Sequence, residues 1–159
     1  DALEQSLIAL KKQFKKEIII DNHSYNLDIV KNVDKNVDKT RVLIPTFIAN
    51  ETHKNVTRVC IESVSKFTSD EVEIWVINNN SPEQYSDWLT ELSSELKFNL
   101  ILNHTEPVNP LHRRNPNSTP VTKYWRLLTH KWKSYERGMQ SLDGSYANAI
   151  GLELGSKCI

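Results

Sequence analysis

Apolar residues in the middle of the chain follow two alternating patterns. Largely apolar runs over residues 41 to 47, 72 to 77 and 98 to 102 predict strands, because strands buried on both faces show little polar alternation. Between them, apolar residues recur every three or four positions over residues 54 to 67 and 83 to 96, which predicts amphipathic helices. The apolar faces would comprise Val56, Val59, Cys60, Val64 and Phe67 in the first helix, and Trp88, Leu89, Leu92 and Leu96 in the second.

The order strand, helix, strand, helix, strand predicts an α/β fold. Connections of this length imply right-handed crossovers and a Rossmann-like parallel sheet of three to four strands with helices on both faces. A further helix is predicted over residues 145 to 154, with Ser145 as its N-cap and Gly155 at its C-terminal cap. Residues 157 to 159 are then expected to begin a fourth strand.

Residues 1 to 40 are predicted to form an N-terminal helical extension and a linker, ahead of the α/β part at residues 41 to 159. Leu3, Leu7, Leu10 and Phe14 are at helical spacing, which predicts a helix over residues 3 to 16. A short β-prone run of isoleucines follows at residues 18 to 20, and the polar residues 31 to 40 have the composition of a linker.

Residues 103 to 142 are predicted to combine a loop with a basic helix. The first half, residues 103 to 122, is rich in proline and predicted to be a long loop. Residues 123 to 142 have helical spacing, with Trp125, Leu128, Trp132 and Tyr135 on one side. The basic residues here are Arg113, Arg114, Lys123, Arg126, Lys131, Lys133 and Arg137. The segment is interpreted as a solvated helix face over buried tryptophans, as a phosphate contact through Arg113 or Arg114, or as a surface for single-stranded nucleic acid.

Composition narrows these alternatives. A chain of 159 residues favours one compact domain, and its 20 basic and 20 acidic residues cancel, so no global field favours nucleic acid or an anionic membrane. Nucleic acid is therefore an unfavoured partner. Cys60 and Cys158 are expected to be buried thiols of a reducing compartment. No apolar run is long enough to cross a bilayer, and the chain is expected to be soluble and cytoplasmic.

Two polar or aromatic segments follow the first two predicted strands. Pro45, Thr46 and Phe47 end the first strand, and residues 78 to 81, Asn-Asn-Asn-Ser, follow the second. In open parallel α/β sheets, ligands bind in the crevice beyond the carboxyl ends of the strands. An aromatic face, a hydroxyl and an amide are side chains that suit a nucleotide base. The alternative is a plain turn, since asparagine and proline are common turn residues.

The stretches RVLIPTF, EIWVINNNSPE, FNLILN and SYANAIGLELGSKCI, in this order, resemble the N-terminal half of a family 2 glycosyltransferase of the GT-A fold. The resemblance covers residues 41 to 103 and 144 to 159. It implies that the intact enzyme transfers a sugar from a nucleotide-sugar donor to an unidentified acceptor, a sugar, lipid or protein. The residues it assigns to the nucleotide are Pro45, Thr46, Phe47, Asn78, Asn79 and Ser81, with Arg113 and Arg114 as candidate phosphate contacts.

The sequence departs from that family at three places. Asn78 and Asn79 stand where the family has an acidic residue, and an amide offers donors as well as an acceptor, whereas a carboxylate only accepts. Asn50 follows an Ile48-Ala49 extension. Residues 147 to 149, Ala-Asn-Ala, replace the Arg-Asn pair that often precedes the family's metal motif.

The resemblance also implies a divalent cation, Mg or Mn, in the intact enzyme, held by an Asp-x-Asp motif expected shortly after residue 159. The chain is therefore expected to be an excerpt that ends before its metal ligands and catalytic base, and to be inactive by itself. No catalytic residue or metal ligand is assigned within it. The alternatives are a non-catalytic α/β interaction module and a nucleic-acid binder that uses residues 112 to 137.

Overall fold

The described residues form an α/β structure with one five-stranded mixed sheet and three helices. A computed structural model describes residues 13–33, 39–69, 71–107 and 146–159. The strands are β1 Gln13–Ile20, β2 His23–Val30, β3 Thr40–Thr46, β4 Val72–Asn79 and β5 Asn99–Asn103, in the sheet order β1-β2-β5-β4-β3. The helices are α1 Glu51–Phe67, α2 Glu83–Leu96 and α3, which comprises residues 146–156.

The predicted parallel unit is confirmed in order and type. β3 pairs with β4 and β4 with β5, both in parallel, and α1 and α2 connect them. β4 continues two residues past the predicted end because Asn78 and Asn79 remain in the ladder with β5. Pro45 lies within β3 instead of ending it, and this is tolerated because β3 is the edge strand of the described sheet.

The N-terminal helix prediction is wrong over residues 13–16, whereas the predicted β-prone run at residues 18 to 20 lies in β1. Residues 13–16 are strand instead of helix, and β1 and β2 form an antiparallel hairpin that joins the sheet through pairing of β2 with β5. Asp21 and Asn22 both have positive φ, as the two central residues of a type I′ hairpin turn require. The sheet is thus partly antiparallel instead of fully parallel, and residues 1–12 lie outside the described residues.

Two clusters of buried side chains lie on opposite faces of the sheet. One face carries Trp75, Ile77 and Ile101, which pack with residues of the hairpin and of α3. The other face carries Val76, Leu100 and Leu102, which pack with Ile61 of α1 and with the buried residues of α2. Helices therefore cover both faces, as predicted. The two clusters include Ile18, Ile20, Tyr25, Leu27, Ile29, Leu89, Leu92, Phe98, Ile150 and Leu154.

The predicted apolar face of α1 points away from the core. Val56, Val59 and Phe67 are 64%, 61% and 81% exposed, and Ile61 is the buried residue of this helix. Among the described residues, β3 is the last strand on this side, so the outer side of α1 has no described layer to pack on.

Cys60 is exposed instead of buried. Cys158 is half-buried, and burial raises the pKa of its thiol, an effect partly offset by Lys16.

The predicted C-terminal helix is confirmed over residues 146–154, but its end does not match. The helix continues through residue 156, so Gly155 is inside it and not at a C-terminal cap, and Ser145 lies outside the described residues. Residues 157 and 158 form a turn, where a strand was expected. Gly155 is instead a point of close approach, because a Cβ built there would lie 2.4 Å from a methyl carbon of Leu43.

The two glycines of α3 are expected to respond differently to alanine. A Cβ at Gly151 would meet Pro45 at an ordinary 3.5 Å, so Gly151→Ala gains helix propensity and is expected to stabilise by up to about 1 kcal/mol. At Gly155 the Cβ forces Leu43 out of its rotamer, and overpacking costs about 1 to 3 kcal/mol. In urea unfolding, the free energy of unfolding of Gly155→Ala should therefore be at least about 1 kcal/mol lower than that of Gly151→Ala.

Leu43→Ala provides the control for this pair. In its background the clash at Gly155 is absent, so the two alanine substitutions should become nearly equal. A difference that persists without the Leu43 side chain would contradict packing against β3 as its cause.

Several predictions fall outside the described part of the chain. They include residues 108 to 122 of the predicted loop, the predicted helix over residues 123 to 142, and the candidate phosphate contacts Arg113 and Arg114. Within the described ranges, no helix has the length and apolar character needed to cross a membrane.

Candidate functional site

The carboxyl ends of the three parallel strands meet at one edge of the sheet. Pro45 is paired with Ile77 and Thr46 with Asn78, so the end of β3 lies beside the end of β4. On the other side of β4, Asn79 is paired with Asn103 at the end of β5. The structure thus brings the Pro45 to Phe47 segment and the asparagine segment together, as their positions after neighbouring strands predicted.

Asn78 is a structural anchor for the turn that follows β4. Its side chain is 1% exposed, and its Oδ1 accepts from the backbone N–H of Ser81 at 3.4 Å. Its Nδ2 donates to Ser86 Oγ at 2.8 Å, and Ser86 in turn donates to the Ser81 carbonyl. Both ends of the amide are used to hold the first turn of α2 against the strand.

Asn79 points to the opposite face of the sheet and links three elements. Its Nδ2 donates to the Ala147 carbonyl of α3 at 2.6 Å, and its Oδ1 accepts from Asn103 Nδ2 at 2.8 Å. Asn103 also exchanges hydrogen bonds with the backbone of Thr105. Asn79 and Asn103 are 5% and 2% exposed, so this network is nearly closed to solvent.

Ser81 joins the loop after β3 to the turn after β4. Its Oγ accepts from the backbone N–H of Ile48 at 2.8 Å, and both residues are buried. The predicted nucleotide contact at Ser81 is therefore also a cross-link between the two loops. Asn50 is the N-cap of α1, where its side chain accepts from the His53 N–H at 3.0 Å.

Pro45 and Thr46 are turned away from the open space at this edge. Pro45 lies against α3 at Gly151, and Thr46 Oγ1 is 3.2 Å from Thr57 Oγ1 of α1. Neither residue lines either of the two cavities formed by described residues. Of the sequence-predicted residues that the structure describes, Phe47, Asn79 and Ser81 line a cavity, and Phe47 is 55% exposed.

A cavity of about 780 Å³ opens beside Phe47. Its volume is within the range typical of small-molecule sites. It lies between the turn after β4, the segment after β5 and the first described turn of α3. The lining residues are Phe47, Asn79, Asn80, Ser81, Pro82, Glu83, Glu106, Pro107, Ala147 and Asn148.

The charged residues that line this cavity are two exposed carboxylates, Glu83 and Glu106, and none of its described lining residues is basic. Within the described ranges, no group of three His, Cys, Asp or Glu side chains is arranged to hold a metal ion. A multiply charged anion would therefore need positive charge from outside the described lining.

A second cavity, of about 750 Å³, adjoins the first and shares Asn80, Ser81 and Glu83 with it. Its other side is formed by α2 and by β2, where His104 Nε2 lies 3.0 Å from Asp28 Oδ2. The lining adds the carboxylates of Asp87 and Glu91. This second space is acidic, and its features do not indicate a particular ligand.

Several residues of the site were not assigned to it from the sequence. Asn103, Ala147 and Asn80 take part in its network or lining. Asn80 lies within the predicted segment 78 to 81, and Ala147 within residues 147 to 149, but neither was assigned a contact. Asn103 had a signal, since it ends the third strand as Asn79 ends the second. Asn80 had one too: asparagine often adopts left-handed backbone, and φ of Asn80 is 63°. The backbone contact of Ala147 leaves no trace in the sequence.

Comparison of the chain with protein-family models, with curated proteins and with solved structures found no match.

Proposed function

We propose that this chain is the nucleotide-binding half of a glycosyltransferase similar to family 2, which transfers a sugar from a nucleotide-sugar donor to an acceptor. The observation that carries the proposal is the cavity beside Phe47, at the carboxyl ends of three parallel strands. In Rossmann-like sheets this edge is where nucleotides bind. The exposed ring of Phe47 offers a face on which a base can stack.

The donor's diphosphate is the part of the ligand that the described cavity does not match. Its negative charges would meet Glu83 and Glu106 without a described cation to offset them. A divalent cation, Mg or Mn, would supply that charge in the intact enzyme. The described residues do not form a complete metal site, so the cation's ligands are not assigned among them. Arg113 and Arg114 remain predicted phosphate contacts.

The proposal is tested by calorimetric titration of the chain with UDP and with GDP, each with and without Mn²⁺. Wild-type protein should bind at least one nucleotide, and Phe47→Ala should weaken that binding about tenfold, because stacking of a base on an aromatic ring is worth about 1 to 3 kcal/mol. Phe67→Ala is the matched control, since Phe67 is an exposed phenylalanine that lines neither cavity.

Two outcomes would count against the proposal. The absence of heat with every nucleotide would remove its basis, and equal effects of the Phe47 and Phe67 substitutions would remove the stacking role. If a nucleotide binds, donor hydrolysis or transfer should be assayed with the intact enzyme.

One observation favours a second function, a non-catalytic α/β interaction module. Val56, Val59 and Phe67 expose apolar side chains along one helix, and clustered exposed apolar residues often mark protein contacts. A chain that binds no nucleotide would leave this interpretation ahead.

A further inference from the structure

The three consecutive asparagines after Ile77 differ in whether their amides are available. Asn78 and Asn79 each use both amide atoms in hydrogen bonds within the protein. Asn80 is half-buried, and its side chain makes no hydrogen bond with another described residue. It lines the cavity that also contains Phe47. Asn80 is therefore the member of the triplet with an amide free to meet a ligand.

The backbone explains why Asn80 differs from its neighbours. Asn78 and Asn79 are strand residues whose side chains alternate between the two faces of the sheet, where each finds buried partners. At Asn80 the chain leaves the strand with φ of 63°, a left-handed conformation that asparagine tolerates better than most residues. This turn places Asn80 in the lining of both cavities instead of in the sheet.

We infer that Asn80, and neither Asn78 nor Asn79, is the side chain that recognises the base, while the base stacks on the Phe47 ring. This inference rests on the proposed function. An amide presents an acceptor and a donor side by side. Uracil presents an N–H between two carbonyls, so the Asn80 amide can accept from the N–H and donate to one carbonyl. The amides of Asn78 and Asn79 are instead oriented by the bonds that hold α2 and α3.

The inference predicts a change of base preference in Asn80→Asp. A carboxylate only accepts hydrogen bonds. It can still accept from the uracil N–H, but it has no donor for the uracil carbonyl. Guanine instead presents two neighbouring N–H groups, which a carboxylate can accept together. The ratio of GDP to UDP affinity should therefore rise by about tenfold or more.

The experiment compares wild type, Asn80→Asp and Asn80→Gly by calorimetric titration with UDP and GDP. Glycine keeps the left-handed backbone while it removes the amide, so Asn80→Gly should weaken UDP binding about tenfold with the fold intact. Asn22→Gly is the matched control, because Asn22 also has a left-handed backbone, φ 59°, and lines neither cavity. Urea unfolding of each variant checks that the fold is kept.

The outcomes separate this inference from the function on which it rests. Wild-type protein that binds neither nucleotide would overturn the proposed function, and the inference with it. Wild-type binding that is unchanged in Asn80→Gly and Asn80→Asp would overturn the inference alone. Weaker UDP binding in Asn80→Gly, a preference for GDP in Asn80→Asp and no effect of Asn22→Gly would support it.

Discussion

Replacing Glu73 with alanine is expected to lower the free energy of unfolding by about 3 kcal/mol. Glu73 is 2% exposed, and its Oε1 accepts from Trp75 Nε1 at 2.9 Å and from Asn99 Nδ2 at 2.8 Å. Its Oε2 lies 3.4 Å from Arg41 Nε. Without the carboxylate, two buried donors lose their acceptor, and urea unfolding should show the loss as a lower midpoint with an unchanged slope.

Glu73→Gln and Glu95→Ala serve as controls for this prediction. Glutamine retains one acceptor oxygen for the buried donors, so Glu73→Gln should be clearly less destabilising than Glu73→Ala. Glu95 carries its carboxylate in an exposed ion pair with Arg58, and its removal should leave the midpoint almost unchanged. A Glu73→Ala protein as stable as Glu95→Ala would show that the buried carboxylate is not needed.

The parallel half of the fold could be predicted because its signals are local. Residues 74–77 of β4 and 100–102 of β5 are apolar in succession, since both faces of these strands are covered, and the predicted bounds of α2 match the structure. The apolar spacing of α1 predicted the helix correctly but did not predict which of its faces is buried. That burial depends on which layers surround β3. Helix spacing indicates an apolar face without saying what covers it.

The hairpin was not predicted because helical spacing upstream hid a period-two signal. Tyr25, Leu27 and Ile29 are the buried residues of β2 and alternate with more polar positions, which is typical of a strand with one buried face. Helical spacing from Leu3 to Phe14 extended the predicted helix into β1. Pairing of β2 with β5 then depends on residues such as Leu27 and Asn103, which are far apart in the sequence.

The position of the candidate site could be predicted from the sequence, but which of its side chains already make hydrogen bonds within the protein could not. Asparagines after a strand predicted polar groups at the sheet edge, and the structure has them there. Which amides are already occupied is a tertiary property: Asn79 bonds to Asn103, 24 residues away, and to Ala147, 68 residues away. Neither partner could be inferred from the local pattern VINNNSPE.

Asn79→Asp is expected to lower the free energy of unfolding by about 2 to 3 kcal/mol near pH 7. The amide nitrogen that donates to the Ala147 carbonyl at 2.6 Å would become an oxygen, so two acceptors would face each other in a nearly closed space. The introduced carboxyl should therefore have a folded-state pKa above its unfolded value of about 3.9. Urea unfolding of the variant and wild type, each near pH 7 and near pH 5, measures the loss.

The pH dependence has a definite sign. A carboxyl whose pKa is raised by folding binds its proton more tightly in the native state. The loss of unfolding free energy relative to wild type is therefore full above the folded-state pKa and shrinks as pH falls through it. Once protonated, the carboxyl can donate its O–H to the Ala147 oxygen. The difference from wild type should therefore be smaller near pH 5 than near pH 7.

Asn78→Asp is the matched control, since it makes the same change one residue earlier at a side chain that is also buried. Its amide nitrogen faces the Ser86 hydroxyl, which can rotate to donate to a carboxylate, whereas the carbonyl facing Asn79 cannot. Asn78→Asp should thus be the less destabilising variant. If Asn79→Asp is equally well tolerated, the Asn79 amide does not hold α3, and this position could carry the acidic residue that the glycosyltransferase resemblance leads us to expect there.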